Sequence, residues 1–124
     1  MKIQTFKYGK LIAIVTRLTE LKHLYEVDLV GMGDGLTVNL EAQTHQQAAN
    51  QVIEDLYFAS EHPQIFFNRR KIGAEQSGAT GHDLQRMIDL ANAAVSYADR
   101  NREQLEVAVR AIDSDNTRKL GGPR

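Results

Sequence analysis

Cysteine is absent from the 124 residues, which excludes a disulfide framework, a thiolate metal site and a cysteine nucleophile. Long apolar runs are absent as well. The longest, Leu11 to Val15, falls far short of the ~18 residues of a membrane span and the ~7–15 of a signal-peptide core, so a cytoplasmic protein with no membrane partner is expected. There is no Gly-x-Ser-x-Gly elbow, no His-Glu-x-x-His pair, and no lysine or hydroxyl side chain at Walker spacing after Gly31-Met32-Gly33-Asp34-Gly35. Each gap removes a class of catalyst whose chemistry depends on that spacing. The glycine segment is therefore read as a hairpin turn, because a strand and not a helix follows it.

Positive charge is missing from one stretch. Residues 26–67 hold no Lys or Arg but seven carboxylates, those of Glu26, Asp28, Asp34, Glu41, Glu54, Asp55 and Glu61. Residues 1–25 carry Lys2, Lys7, Lys10, Arg17 and Lys22 against Glu20, a sum of +4, and the remaining residues add +2, so that +4 − 7 + 2 gives the total of −1. Uneven charge of this kind sets partner choice and association rate; it serves equally to solvate the outer face of a sheet.

What is present is ordinary for a globular protein: 42% hydrophobic and 25% charged residues. This length suits one domain, and burial of roughly two-thirds of the unfolded surface suffices for a core without a metal or cofactor. The chain reads as an α+β domain over residues 1–112. Ile3 to Lys7 and Leu11 to Val15 are rich in strand formers around a Tyr8-Gly9-Lys10 turn. Tyr25, Val27 and Leu29 alternate with acidic residues, and Leu36, Val38, Leu40 and Ala42 alternate with polar ones, which predicts a four-stranded antiparallel meander. At Thr44 the period changes to that of a helix. Thr44 and Gln47 form a capping box, and Ala48, Ala49, Val52, Ile53, Leu56 and Tyr57 make an apolar stripe to back the sheet, ending near Ser60 ahead of Pro63.

From Glu61 to Thr80 the pattern is weak. Ile65-Phe66-Phe67 reads as a fifth strand or one helical turn, and residues 73–81, with Gly73, Gly78 and Gly81, as a mobile loop joining the sheet part to a long C-terminal helix. In that helix Leu84, Ala91, Ala98, Leu105 and Ile112 recur every seven residues, accompanied by Met87, Ile88, Val95 and Val109. As a single rod, Leu84 to Ile112 would span about 43 Å at ~1.5 Å per residue, against about 15–20 Å for the width of four strands. Either the rod overhangs and finds a protein partner, including a second copy in a homodimer, or it breaks at Asp99–Arg102 into a helical hairpin. Asn101 falls on the seam, where it is either a register-fixing polar residue or an exposed hinge. The partner-binding seam is thus Leu84, Met87, Ile88, Ala91, Val95, Ala98, Asn101, Leu105, Val109 and Ile112; residues 113–124 lose the pattern and read as a flexible tail.

Two further clusters carry chemistry. Phe66, Phe67, Arg69, Arg70 and Lys71 set aromatics beside a basic triplet, the composition of a nucleic-acid contact or of a clamp for an acidic partner. Of the histidines, His62 and His82 each adjoin a carboxylate and would supply an acid–base pair if the fold gave them a pocket; His23 and His45 fall in no metal-ligand spacing, so no metal site is expected. The expectation is a non-catalytic protein-binding module, a small regulatory, adaptor or inhibitor protein acting through its C-terminal helix. A nucleic-acid-binding regulator and a small enzyme stand as alternatives.

Overall fold

The chain opens with a tight hairpin. Strand β1 (Ile3–Tyr8) pairs antiparallel with β2 (Leu11–Arg17), Tyr8 opposite Leu11, and the two-residue loop is closed by Gly9 at φ 65°, a left-handed conformation that glycine adopts without a Cβ clash. β3 (Leu24–Gly31) and β4 (Asp34–Glu41) complete a meander of order β1-β2-β3-β4. The computed structural model describes the backbone of residues 2–31 and 33–121 and the side chains as far as residue 115; Met32 lies outside the described residues.

At the β3–β4 turn Gly31 has φ 129°, and a Cβ there would lie 2.5 Å from the Lys10 carbonyl oxygen. The two hairpin turns thus meet at a point where only hydrogen fits. One sheet face, with Tyr8, Leu11, Ala13, Val15, Tyr25, Val27 and Leu29, is buried. Helices cover that face, while the other stays open to solvent.

Helix α1 (His45–Glu61) starts as the capping box requires: the Gln47 amide donates to Thr44 Oγ1 at 3.0 Å, while the Gln47 side chain accepts from the Gln43 amide rather than from that of the cap residue itself. Its stripe from Ala48 to Leu56 is buried on the sheet, and the Tyr8 hydroxyl donates to Asn50 Oδ1 at 2.7 Å, fastening the end of β1 to α1. The Tyr8 phenol is pushed up to about 12 by burial.

The weak region is a helix. α2 runs Pro63–Gln76 with its proline in the first turn, where the missing N–H costs nothing, and it passes straight through Gly73. The loop expected over 73–81 shrinks to residues 77–80, closed by Gly78 at φ 86° and by the Ala79 amide donating to the Ala74 carbonyl. Gln64, Arg69, Arg70, Lys71, Ala74, Glu75 and Gln76 are all good helix formers, and their propensity outweighs the glycine. Phe66 and Ala74 are buried, and α2 forms a helical hairpin with α3 (Gly81–Arg100).

The long rod does break, at Asn101. α4 (Arg102–Gly121) departs in a new direction, and α3 and α4 touch each other only around the junction, each packing on α1 instead. The helical hairpin of the fold is therefore α2–α3, not the folding back at Asp99–Arg102 that the heptads allowed. α4 continues past Ile112, so residues 113–121 of the expected tail are helical; residues 122–124 lie outside the described residues. Across the sheet the helical layer runs from α4, against β1 and β2, through α1 to α3, against β4.

Candidate docking surface

Asn101 is the residue on which the seam turns. With φ −117° and ψ 21° it leaves helical geometry; its amide N–H donates to the Tyr97 carbonyl at 3.0 Å, and its own carbonyl accepts from the Leu105 amide, so it ends one helix and starts the next. Its side chain Nδ2 donates to the Tyr97 carbonyl at 2.9 Å and to Asp34 Oδ2 at 2.8 Å. Arg100 adds Nε to Asp34 Oδ2 at 3.0 Å and Nη2 to Oδ1 at 3.2 Å. Hydrogen bonds from Arg100 first and Asn101 second hold the Asp34 carboxyl at about 2, below the usual carboxylate range. Asn101 is thus a hinge residue, but it is buried and not exposed.

The bend divides the predicted seam. Beyond it Leu105, Ala108 and Ile112 are buried, as are Ala91 and Ala98 before it, while Val95 and Val109 pack half-buried on the same core. The buried seam positions are enclosed within the chain's own core, where α3 and α4 pack on α1 and the sheet, and Val95 and Val109 keep only part of their surface. The first two turns of α3 differ. Leu84 and Ile88 are half-covered, Met87 is 42% exposed and Leu90 54% exposed. Sequence did not mark Leu90 as part of this exposed apolar face because it falls off the seven-residue row; its signal is helical spacing three residues from Met87. On the α2 arm of the same hairpin Ile65 and Ile72 are also exposed, seven residues apart on one stripe.

The basic cluster stays exposed, but its aromatics do not. Phe66 is buried, which removes it as a stacking platform for a base, and Phe67 is half-covered. The Arg70 guanidinium lies 4.9 Å from the Phe66 ring centroid and 3.4 Å from Asp55 Oδ2; that of Arg69 lies 5.2 Å from the Phe58 ring. Two of the three cations are thus engaged by their own domain. Lys71 is exposed.

The histidines do not converge. His45 is buried edge-on to Tyr25, ring centroids 4.9 Å apart, with Nε2 3.2 Å from the Lys2 carbonyl. His62 caps the junction of α1 and α2, 5.0 Å from the Phe58 ring, and His82 is exposed in the first turn of α3. Two open grooves flank the start of α1, one of about 570 Å³ lined by His23, Glu41 and Gln51 among others, the second lined by Lys2, Arg17, Glu20 and His45 among others. Neither His62 nor His82 lines either groove. Arg17 in the second is already committed, its Nε donating to the Thr19 carbonyl at 3.1 Å and so shaping the β2–β3 loop. Among the described residues no three His, Asp or Glu side chains gather so as to hold a metal ion, and no helix is long and apolar enough to cross a membrane.

The acidic stretch is dispersed: Asp34 is held at the β3–β4 turn by Arg100 and Asn101, and Glu61 ends α1 at 3.7 Å from Arg102. Glu26, Asp28 and Glu41 lie on the open sheet face, opposite Asn39, Thr37 and Leu24 on the adjacent strand, with Asp28 accepting from the Thr37 hydroxyl. Glu54 and Asp55 lie on α1, where burial first, then Asp113 and Asp55, raise the Glu54 carboxyl. Comparison with protein-family models, curated proteins and solved structures finds no match to this chain.

Proposed function

We propose that this chain is a non-catalytic protein-binding module that takes an amphipathic helix of a partner protein on the α2–α3 hairpin. The observation that carries it is the mismatch between α3 and its cover: the apolar stripe that is buried from Ala91 onward continues back through Met87, with Leu90 beside it, where both side chains are exposed. Side chains at helical spacing on a two-helix hairpin form ridges and grooves into which a third helix packs. Charged residues of both signs, Asp83, Arg86 and Asp89, sit around the stripe, as the polar rim of such an interface does.

Leu105→Asp would report on folding, because Leu105 is fully buried. Met87→Asp with Leu90→Asp is the suitable variant. Amphipathic helical peptides selected from a phage-displayed library against the native chain should lose at least about tenfold in affinity for the double variant, the equivalent of ~1.4 kcal/mol. Selection that yields no binder, or peptides that bind both forms equally, would overturn the proposal.

A further inference from the structure

The two edges of the sheet are not alike. Both outer strands lie against a helix, β1 against α4 and β4 against α3, but β1 also carries Lys2 just before it and Lys7 within it, and lysine is a usual means of protecting an edge. β4 has neither lysine nor proline, and between Asp34 and Glu41 it has no charge at all. Its free backbone groups can be assigned. The Ala42 amide donates to the His23 carbonyl at 3.0 Å, and the β3–β4 register is unbroken from Leu24↔Glu41 to Gly31↔Asp34. Antiparallel pairs alternate between bonded and non-bonded, so the even-numbered residues Leu40, Val38 and Leu36 bond to β3. The odd-numbered Thr37, Asn39 and Glu41 turn their N–H and C=O groups outward.

The order of side chains along that edge is symmetric. About Val38 the inward residues are identical in both directions, Leu36 matching Leu40, and the polar Thr37 matches the polar Asn39; Gly35 and Glu41 differ. A two-fold axis at Val38 would place Leu36 of one copy opposite Leu40 of the other, Thr37 opposite Asn39, and Glu41 opposite Gly35. Inward residues then meet inward ones, as facing positions of a sheet must, and no like charges meet. The outward-turned Thr37 and Asn39 become the hydrogen-bonded pairs, with Val38 facing Val38 in the non-bonded position. Leu36, Val38 and Leu40, only half-buried in one chain, gain neighbours on their open side. A closed two-fold contact needs a patch complementary to itself, and this strand meets that demand in backbone, side chain and charge together.

We infer that β4 pairs with β4 of a second copy of this chain, centred on Val38, to form a continuous eight-stranded sheet. The inference stands on the β4 edge alone and is independent of the α2–α3 surface. Light scattering over a range of concentrations tests it with three forms of the full chain. The native chain should approach the mass of two copies. Thr37→Lys with Asn39→Lys sets lysine against lysine across the axis and should return the mass to one copy; both positions lie on the open face beside Asp28 and Glu26, so the circular dichroism should be unchanged. Thr37→Lys with Asn39→Glu sets opposite charges across the axis and should restore the two-copy mass. Asn39→Pro, which deletes an outward N–H, is a second way to block pairing without touching the β3 ladder. A native chain that stays single at every concentration, or a two-copy mass that survives the double lysine and the proline, would overturn the inference.

Discussion

Asn101 donates to Asp34 at 2.8 Å across 67 positions of sequence, tying the bend between two helices to the turn between two strands. The bend is therefore held from the sheet side as well as by the helix ends. Asn101→Ala removes donors to both Asp34 and the Tyr97 carbonyl in a buried position, and should cost about 1–3 kcal/mol in a urea titration.

Acid should weaken the same contact. The Asp34 carboxyl moves from its ordinary 3.8 to about 2 on folding, so its contribution is complete above the unfolded value and is lost as pH falls through the folded one. The urea midpoint should decline from about pH 4 to about pH 2, and Asp34→Asn should flatten that decline.

Leu105 lies at full burial where α4 meets α1. Leu105→Ala should destabilise by about 2–5 kcal/mol through lost transfer energy and the cavity left behind. The double aspartate variant at Met87 and Leu90 should unfold at nearly the native midpoint, which separates a core position from a surface one in the same heptad run.

Gly31 and Gly35 stand in adjoining parts of one hairpin and should respond differently to alanine. At Gly31 the new Cβ meets backbone at 2.5 Å and φ is positive; at Gly35 it meets Leu29 oxygen at 3.4 Å, an ordinary contact. Gly31→Ala should cost at least about 2 kcal/mol and Gly35→Ala less than about 1 kcal/mol, measured by thermal unfolding.

Tyr8→Phe removes the bond to Asn50 and should cost about 0.5–1.5 kcal/mol. Because burial raises the Tyr8 phenol from 10.0 to about 12, its neutral form is favoured by the fold. Stability is then complete below pH 10 and declines towards pH 12, and the Tyr8→Phe variant should lose less there.

Sequence by itself determined the meander, its turns, the capped start of α1 and that helix's buried stripe, because in each case a period of two or of 3.6 residues coincides with a local turn or cap signal. It also marked Asn101 and the excess length of the heptad run. α2 was not legible, since only Phe66 and Ala74 are buried along it and its helix rests on propensity and on packing against α3. Which half of the seam lies inside was decided by tertiary structure alone. A heptad pattern records that a stripe must be covered, not by what; here the bend at Asn101 hands Leu105 to Ile112 to α1 and leaves Met87 and Leu90 outside. The free edge of β4 had the same origin: its symmetric sequence was visible throughout, but a strand becomes an edge only when the fold settles which neighbour it lacks.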